Sequence, residues 1–531
     1  MKNVITFDIG TTGVKTCVYR ISDSIELLGA ASQGYGLYVL DNGGAEQDTE
    51  EWWTALCDTS KKALAASGLT AAEIEGISFC SQMQGLVLVD KNGDAVRRPM
   101  SYMDQRATAE LKKGIAHGIT VAGASVPILI KSLIITGAVA ASVKDPVWKY
   151  NWVKAHEPEV FRRIYKWLDV KEYLICRMTG EFVMTKDSAF STLLYDLRKG
   201  HECFSASLCK TLGVDVNHMP KLIRSTDVAG KLRAQQAEEL GLAPGTPVLG
   251  GGGDASLIGV GAGAVAPGDT HIYSGTSGWV STVVEKSIVD AGAMIAAIIG
   301  ADEGKFNYFA ELETAGKCLE WCKDHLAMDE IDIYLKKVHV ADSYEGRYRS
   351  LYDYLSEVMD KVPAGSGGVI FTPWLHGNRC PFEDPNARGM FFNISLSTGK
   401  SQLLRAVVEG VAYHLRWFIE AQEHKIKTSD TVRFVGGGAL SDVTAQIIAD
   451  VTGKTIETVS DPQNAGAVGA AVTLAVGLGE IKGFADAKRL IPALKTFKPN
   501  AENKAVYDKQ FAVFKSLYKS NKDNFKAMNA G

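Results

Sequence analysis

The chain has 531 residues, of which 46% are hydrophobic and 22% charged, with a formal net charge of −4. Its length exceeds the roughly 250–300 residues that one core usually supports, so two or more domains are expected, and the composition excludes a disordered chain. Near-neutral charge without long basic or acidic blocks argues against nucleic-acid and anionic-membrane partners. No apolar run reads as a bilayer span or a secretory signal, so the cytoplasm is the expected location.

Met1-Lys2-Asn3 leads straight into the strand-like Val4-Ile5-Thr6-Phe7. Phe7-Asp8-Ile9-Gly10-Thr11-Thr12-Gly13-Val14-Lys15-Thr16 then predicts a β-hairpin whose tip carries glycine and hydroxyl side chains. Such a tip presents backbone N–H groups to a polyphosphate. Gly10 and Gly13 allow close approach, and Lys15 adds positive charge. Asp8 would repel phosphate unless a magnesium ion, held through water, lies between them. Alone, the segment also fits an ordinary glycine-rich turn.

Asp48 and Glu51 have capping-box spacing at the start of a helix containing Trp52 and Trp53, one of which is a candidate to line a site. Gly76 to Cys80 reads as a strand, and residues 145–180 alternate apolar and basic positions with helical spacing. Gly250-Gly251-Gly252-Gly253 precedes Asp254, which would open a helix of small residues. That carboxylate reads either as a plain N-cap or as a base accepting a hydroxyl proton during phosphoryl transfer.

No G-x-x-x-x-G-K-[ST] run exists, which excludes a P-loop. Gly261 to Ala266 fits G-x-G-x-x-A only formally, with no strand before it and Pro267 where a helix should continue. Ile272-Tyr273-Ser274-Gly275-Thr276-Ser277-Gly278-Trp279-Val280-Ser281 repeats the first hairpin. Laying Gly10 on Gly275 matches Thr11 with Thr276, Thr12 with Ser277 and Gly13 with Gly278, and sets Asp8 and Lys15 against Tyr273 and Val280. The repeat predicts duplicated domains that differ in chemistry, divided near Val265-Ala266-Pro267-Gly268. Cys318 and Cys322 share a helix face without a pair to complete a zinc site, so the nine cysteines read as buried free thiols. Phe434 to Asp442 is a glycine-rich strand-to-helix turn, suited to a flat adenine or ribose or simply to close helix packing. The Lys-rich tail after about residue 500 predicts a surface helix.

Taken in order, these motifs resemble the FGGY family of carbohydrate kinases, in the actin-like two-domain ATPase superfamily. Phe7 to Thr16 is similar to the family's first phosphate motif, Tyr273 to Gly278 to its second, and Val435 to Asp442 to its adenosine motif. Gly250 to Asp254 is similar to the segment with the catalytic aspartate. Asp104-Gln105-Arg106, His156-Glu157-Pro158-Glu159, Met178-Thr179-Gly180-Glu181 and Cys380-Pro381 through Gly389 match as well.

The resemblance implies an α/β fold of two actin-like (ribonuclease H-like) domains, with mixed sheets flanked by helices and an interdomain ATP/sugar cleft. Residues 1–265 would bind sugar and carry the catalytic Asp254, and residues 266–531 would bind the nucleotide. It implies ATP and Mg2+ as cofactors, with Asp8, Thr11, Thr12, Lys15, Gly275, Thr276, Gly316, Gly437, Gly438 and Asp442 around ATP, and Asp8 acting on magnesium through water. Met83, Gln84, Asp104 and Asp254 would meet a small sugar or polyol, and a homodimer is compatible with the family.

Within the family the chain looks most like the xylulose kinases, with two departures. Gln84 stands where those enzymes usually carry the histidine of Gln-Met-His-Gly, and Ala255 stands where they usually carry asparagine. Both leave the choice open between xylulose and ribulose, erythritol, glycerol or a sugar acid. A non-catalytic ATP-switch protein of the same superfamily would not need Gln84, Asp104 and Asp254 together.

Overall fold

Two mixed β-sheets organise the computed structural model, which describes residues 1–121, 124–326 and 351–530. The first comprises β1 (Lys2–Ile9), β2 (Gly13–Ile21), β3 (Ile25–Gly34), β4 (Ile77–Ser81), β5 (Val228–Lys231), β6 (Pro247–Leu249) and β7 (Gly252–Gly253). Their order is β5-β6-β4-β1-β2-β3, with β7 also paired to β4. The second comprises β8 (Thr270–Ser274), β9 (Gly278–Val284), β10 (Val289–Asp290), β11 (Ile295–Ile299), β12 (Phe306–Leu312), β13 (Thr431–Val435), β14 (Thr455–Thr458) and β15 (Lys495–Phe497). Its order is β10-β11-β12-β9-β8-β13-β14-β15.

The duplication is visible in strand directions. In each sheet an antiparallel meander (β3-β2-β1, or β12-β9-β8) continues through two parallel pairings into an antiparallel edge strand. The tips differ by one residue, however. Ile9 pairs with Val14, leaving Gly10, Thr11, Thr12 and Gly13 in the first tip. Ser274 pairs with Gly278, leaving only Gly275, Thr276 and Ser277 in the second. The place opposite Tyr273 therefore belongs to Trp279, not Val280. Those two rings stack with centroids 4.0 Å apart, where the first hairpin sets Lys15 opposite Asp8.

The helices that matter for the site are α1 (Thr49–Ser67), α2 (Pro146–His156), α3 (Val170–Thr179), α4 (Lys186–Ser191), α5 (Asp254–Gly261), α6 (Gly316–His325), α7 (Lys400–Glu423), α8 (Asp442–Thr452), α9 (Ala465–Gly477) and α10 (Lys504–Asn529). Side chains on β1 alternate between faces, as strand geometry requires. Ile5, Phe7 and Ile9 join the core shared with α1, while Val4 joins the core shared with α9. Asp8 consequently points toward α9, a helix contributed by the second half of the chain.

The equivalent helices α5 and α9 follow equivalent strands and pack backbone to backbone. A Cβ on Gly261 would lie 1.8 Å from the Ala465 carbonyl oxygen, and one on Gly469 would lie 2.2 Å from that of Leu257. Only glycine permits this approach. A further cluster built around Trp148, Tyr150 and Trp167 closes the first half. No helix among the described residues is long and apolar enough to cross a membrane.

Three local expectations are revised. Asp48 caps α1 by accepting from the Glu50 N–H at 2.9 Å, but Glu51 instead accepts from the Gly36 N–H at 2.7 Å and from Tyr38, so no capping box forms. The helical run over 145–180 is broken by the strand Lys166–Leu168, paired with Val87–Val89. The tail helix α10 buries Tyr507, Phe511, Phe514 and Leu517 against the second core, so only its outer face is surface. Cys318 and Cys322 are buried on α6 as expected, whereas Cys203 is exposed.

Candidate active site

β4 separates the two carboxylates that the sequence singles out. Asp8 stands beside Cys80, and Cys80 beside Gly252, so two strand spacings place Asp8 and Gly252 about 10 Å apart. Asp254 follows immediately at the first turn of α5 and accepts from the Ala255 N–H at 2.7 Å. Burial pushes its carboxyl up to about 7, and the negative charges of Asp8 and Glu311 act in the same direction. A carboxyl poised near neutrality can accept a hydroxyl proton and release it within one turnover.

Burial also raises Asp8, against the pull of the Lys15 ammonium. The α9 start lies directly on Asp8: a Cβ on Gly466 would fall 2.9 Å from Asp8 Oδ2. Lys15 Nζ donates to the Gln463 carbonyl at 2.6 Å, tying the first hairpin to the second half of the chain. Gly10 N–H closes the tip onto the Gly13 carbonyl at 2.9 Å, and Gln47 Nε2 donates to the Thr11 carbonyl at 2.7 Å. Among the described residues no three His, Cys, Asp or Glu side chains converge as a metal cage. The donor set at Asp8, one buried carboxylate, suits a hard cation held largely by phosphate oxygens and water.

The second tip is braced by α6. Gly316 N–H donates to the Gly275 carbonyl at 2.9 Å, with no room for a Cβ, which would lie 2.4 Å from that oxygen. Gly436, in the left-handed region at φ +94, packs against Ser274, while a Cβ on Gly437 would meet nothing within 4 Å. The glycine turn before α8 is thus tight on one side and open at Gly437, where a flat ring has space. Asp442 is exposed at the start of α8 and pairs with Lys495 at 2.7 Å.

Met83 lies against the loop that precedes Asp254: a Cβ on Gly253 would be 2.1 Å from Met83 Sδ. Gln84 has a left-handed backbone, φ +63, an unusual conformation for a residue other than glycine. It is pinned from both sides. The N–H groups of Gln84 and Gly85 donate to Asp169 at 3.0 and 2.9 Å, and Lys149 Nζ donates to the Gln84 and Ser101 carbonyls at 2.9 and 2.7 Å. Burial lowers the Lys149 ammonium to about 8.

Asp104 is held by its neighbours. Fully buried, it accepts from the Ala45 N–H at 2.8 Å and from Arg106 Nη2 at 2.7 Å, and Arg106 continues to Glu46 at 2.8 Å. Its carboxylate fixes that arginine. Trp52 and Trp53 are likewise core residues, the second donating to Glu239 at 2.6 Å.

Sequence reasoning missed Tyr102, whose hydroxyl meets Thr11 and lies within the field of the negative charges of Glu311 and Asp254. It also missed the pair of Glu311 with Arg379 at 2.7 Å. Tyr102 lies in the same segment as Asp104-Gln105-Arg106, which is the signal that could have drawn attention to it.

Two duplicated sheets, paired glycine hairpins and a near-neutral carboxyl between them define a two-domain α/β enzyme of the actin-like kind. Residues 3–261 match the N-terminal domain, and residues 271–478 the C-terminal domain, of the FGGY family of carbohydrate kinases, and the chain belongs to that family. It is 28% identical over 524 residues to the xylulose kinase of Bacillus subtilis (strain 168), covering 98% of each chain. It is 25% identical over 515 residues to the gluconokinase of the same organism, covering 97% of this chain and 95% of that one. The crystal structure of ligand-bound xylulose kinase from Lactobacillus acidophilus superimposes with a TM-score of 0.84 at 24% identity, over 100% of both chains.

Proposed function

We propose that this carbohydrate kinase transfers the γ-phosphate of ATP to a hydroxyl of a small sugar or polyol, a ketopentose such as xylulose first among them. The observation that carries this reading is Asp254, a carboxyl near pKa 7, next to Gly253 where Met83 packs and one strand away from the first hairpin. Residues 1–265 hold the sugar and the base, and residues 266–531 hold the nucleotide. Thr11, Thr12, Lys15, Gly275 and Thr276 gather the phosphates, while Gly316, Gly437, Gly438 and Asp442 surround the nucleoside. Magnesium at Asp8, held through water, supplies positive charge to the phosphates when bound. Asp254 takes the proton of the attacking hydroxyl, and backbone N–H groups of the tips stabilise charge on the transferring group.

The second reading is a sugar acid as acceptor, favoured by the gluconokinase relative. A coupled ADP-release assay across xylulose, ribulose, erythritol, glycerol and gluconate, with and without magnesium, tests both. Turnover that ignores every acceptor would overturn the kinase reading for small polyols, and selective turnover with gluconate would replace the first acceptor class by the second.

A further inference from the structure

Directly behind the catalytic loop lies a charged cluster that no substrate can touch. Lys171, Glu172, Thr185, Asp187, Ser188 and Ser256 are each at most 2% exposed. Asp187, on α4, uses a single oxygen, Oδ2, to accept from the Gly253 N–H at 2.7 Å and from the Ser256 hydroxyl at 2.6 Å. Those donors are the residue before Asp254 and the residue two after it. Its other oxygen accepts from Thr185. Lys171 Nζ, on α3, then donates to Thr185 and Ser188 at 2.6 Å each and pairs with Glu172. The Lys171 charge and these hydrogen bonds keep Asp187 ionised below the usual carboxylate range despite its burial.

Removing three charges from water is costly, and an apolar cluster of the same volume would often serve stability as well or better. The arrangement has a geometric use instead. Gly252 and Gly253 leave the loop without side chains of its own to lock it, and Met83 presses on it from the sugar side. The Asp187 carboxylate grips it from the opposite side, at both ends of the turn that carries Asp254. We propose that Asp187, backed by Lys171, is a positioning residue that aims the Asp254 carboxyl at the acceptor hydroxyl. This rests on the reading of Asp254 as the base.

The test compares Ser256→Ala, which removes one of the two grips without altering charge, with Asp187→Asn and Asp254→Asn. Misplacement of a reacting group by about 1 Å costs on the order of 100-fold, so kcat should fall roughly 3–10-fold in Ser256→Ala and roughly 10–100-fold in Asp187→Asn. KM for ATP and for the sugar should stay within about twofold in both, because neither residue meets a substrate. A role confined to stability predicts another pattern, in which the melting temperature drops and kcat falls only with the folded fraction. That pattern, or kcat unchanged in both variants, overturns the proposal. Should Asp187→Asn not fold, Ser256→Ala decides by the same criteria. Asp254→Asn separates the two levels: if it is inactive while the other two are normal, only the positioning role fails. If it is fully active, the assignment of the base fails.

Discussion

As the proposed base, Asp254 would serve chemistry at the expense of stability, and the two effects have opposite pH signatures. As a base it must be ionised, so kcat should fall as pH drops through about 7, where its folded-state carboxyl titrates. For stability the sign runs the other way. A carboxyl raised from 3.8 to about 7 favours the folded state most when protonated, and that contribution is lost as pH rises from about 4 through 7, at about 1.4 kcal/mol per unit. Asp254→Asn should therefore lose at least ~100-fold in turnover while binding ATP normally by calorimetry. It should also melt higher than the native protein at pH 8, an advantage that shrinks as pH falls from 7 toward 4. Turnover above half the native value would rule out the base assignment. Gln84 has no titrating group, and its backbone is held by Asp169 and Lys149 whatever its side chain. Gln84→His should thus leave the turn intact and shift kcat/KM toward xylulose relative to the other acceptors. An identical preference profile would mean that this side chain does not meet the sugar.

At the scale of elements, two glycines of similar appearance in the sequence have opposite surroundings. Gly469 of α9 lies where a Cβ would be 2.2 Å from a backbone oxygen of α5, whereas Gly437 faces open space. Gly469→Ala must push the helices apart, costing about 1–3 kcal/mol and lowering the melting temperature. Because α5 begins with Asp254, kcat should drop as well. Gly437→Ala should leave the melting temperature unchanged and raise KM for ATP several-fold, since the new methyl enters the space assigned to the nucleoside; an unchanged KM would move the nucleoside elsewhere. The strands carrying Asp8, Asp254 and the glycine turns were legible in the sequence because each joins an apolar run to a glycine break, a local signal. The shorter second tip was not, because its glycines and hydroxyls also match without a gap, and only strand pairing reveals that Trp279 stands opposite Tyr273. Glu51 was misjudged for a related reason. Spacing names a carboxylate but not its partner, and the partners of Glu51, Gly36 and Tyr38, come from another segment. Lys149 and Asp187 gave no signal, since their roles exist only once distant segments bury them together.

The whole molecule turns on the seam between the two halves. α5 and α9 touch through glycines there, and α9 lies against the first sheet beneath Asp8 while belonging to the second half of the chain. Lys15 and the Gln463 carbonyl bridge the halves near this seam, and the exposed pair of Lys186 with Glu303 at 2.6 Å bridges them again. A close-packed helix pair can serve as a pivot, since small rotations about it preserve its contacts while moving the distant hairpin tips by more. On the proposed assignment, phosphates held by both the Gly10 and Gly275 tips, with sugar on the first half, would require the halves to close before transfer, and closure would exclude water from the phosphoryl group. A partly open enzyme admits water, so slow ATP hydrolysis without sugar is expected. Sugar and nucleotide each favour the closed form, and by linkage each should tighten the binding of the other. Small-angle scattering of the free protein, with sugar, with a non-hydrolysable ATP analogue and with both should give the smallest radius of gyration for the doubly liganded state. A constant radius across all four, with binding confirmed by calorimetry, would mean that the cleft is preformed and that the α5–α9 seam is a rigid joint.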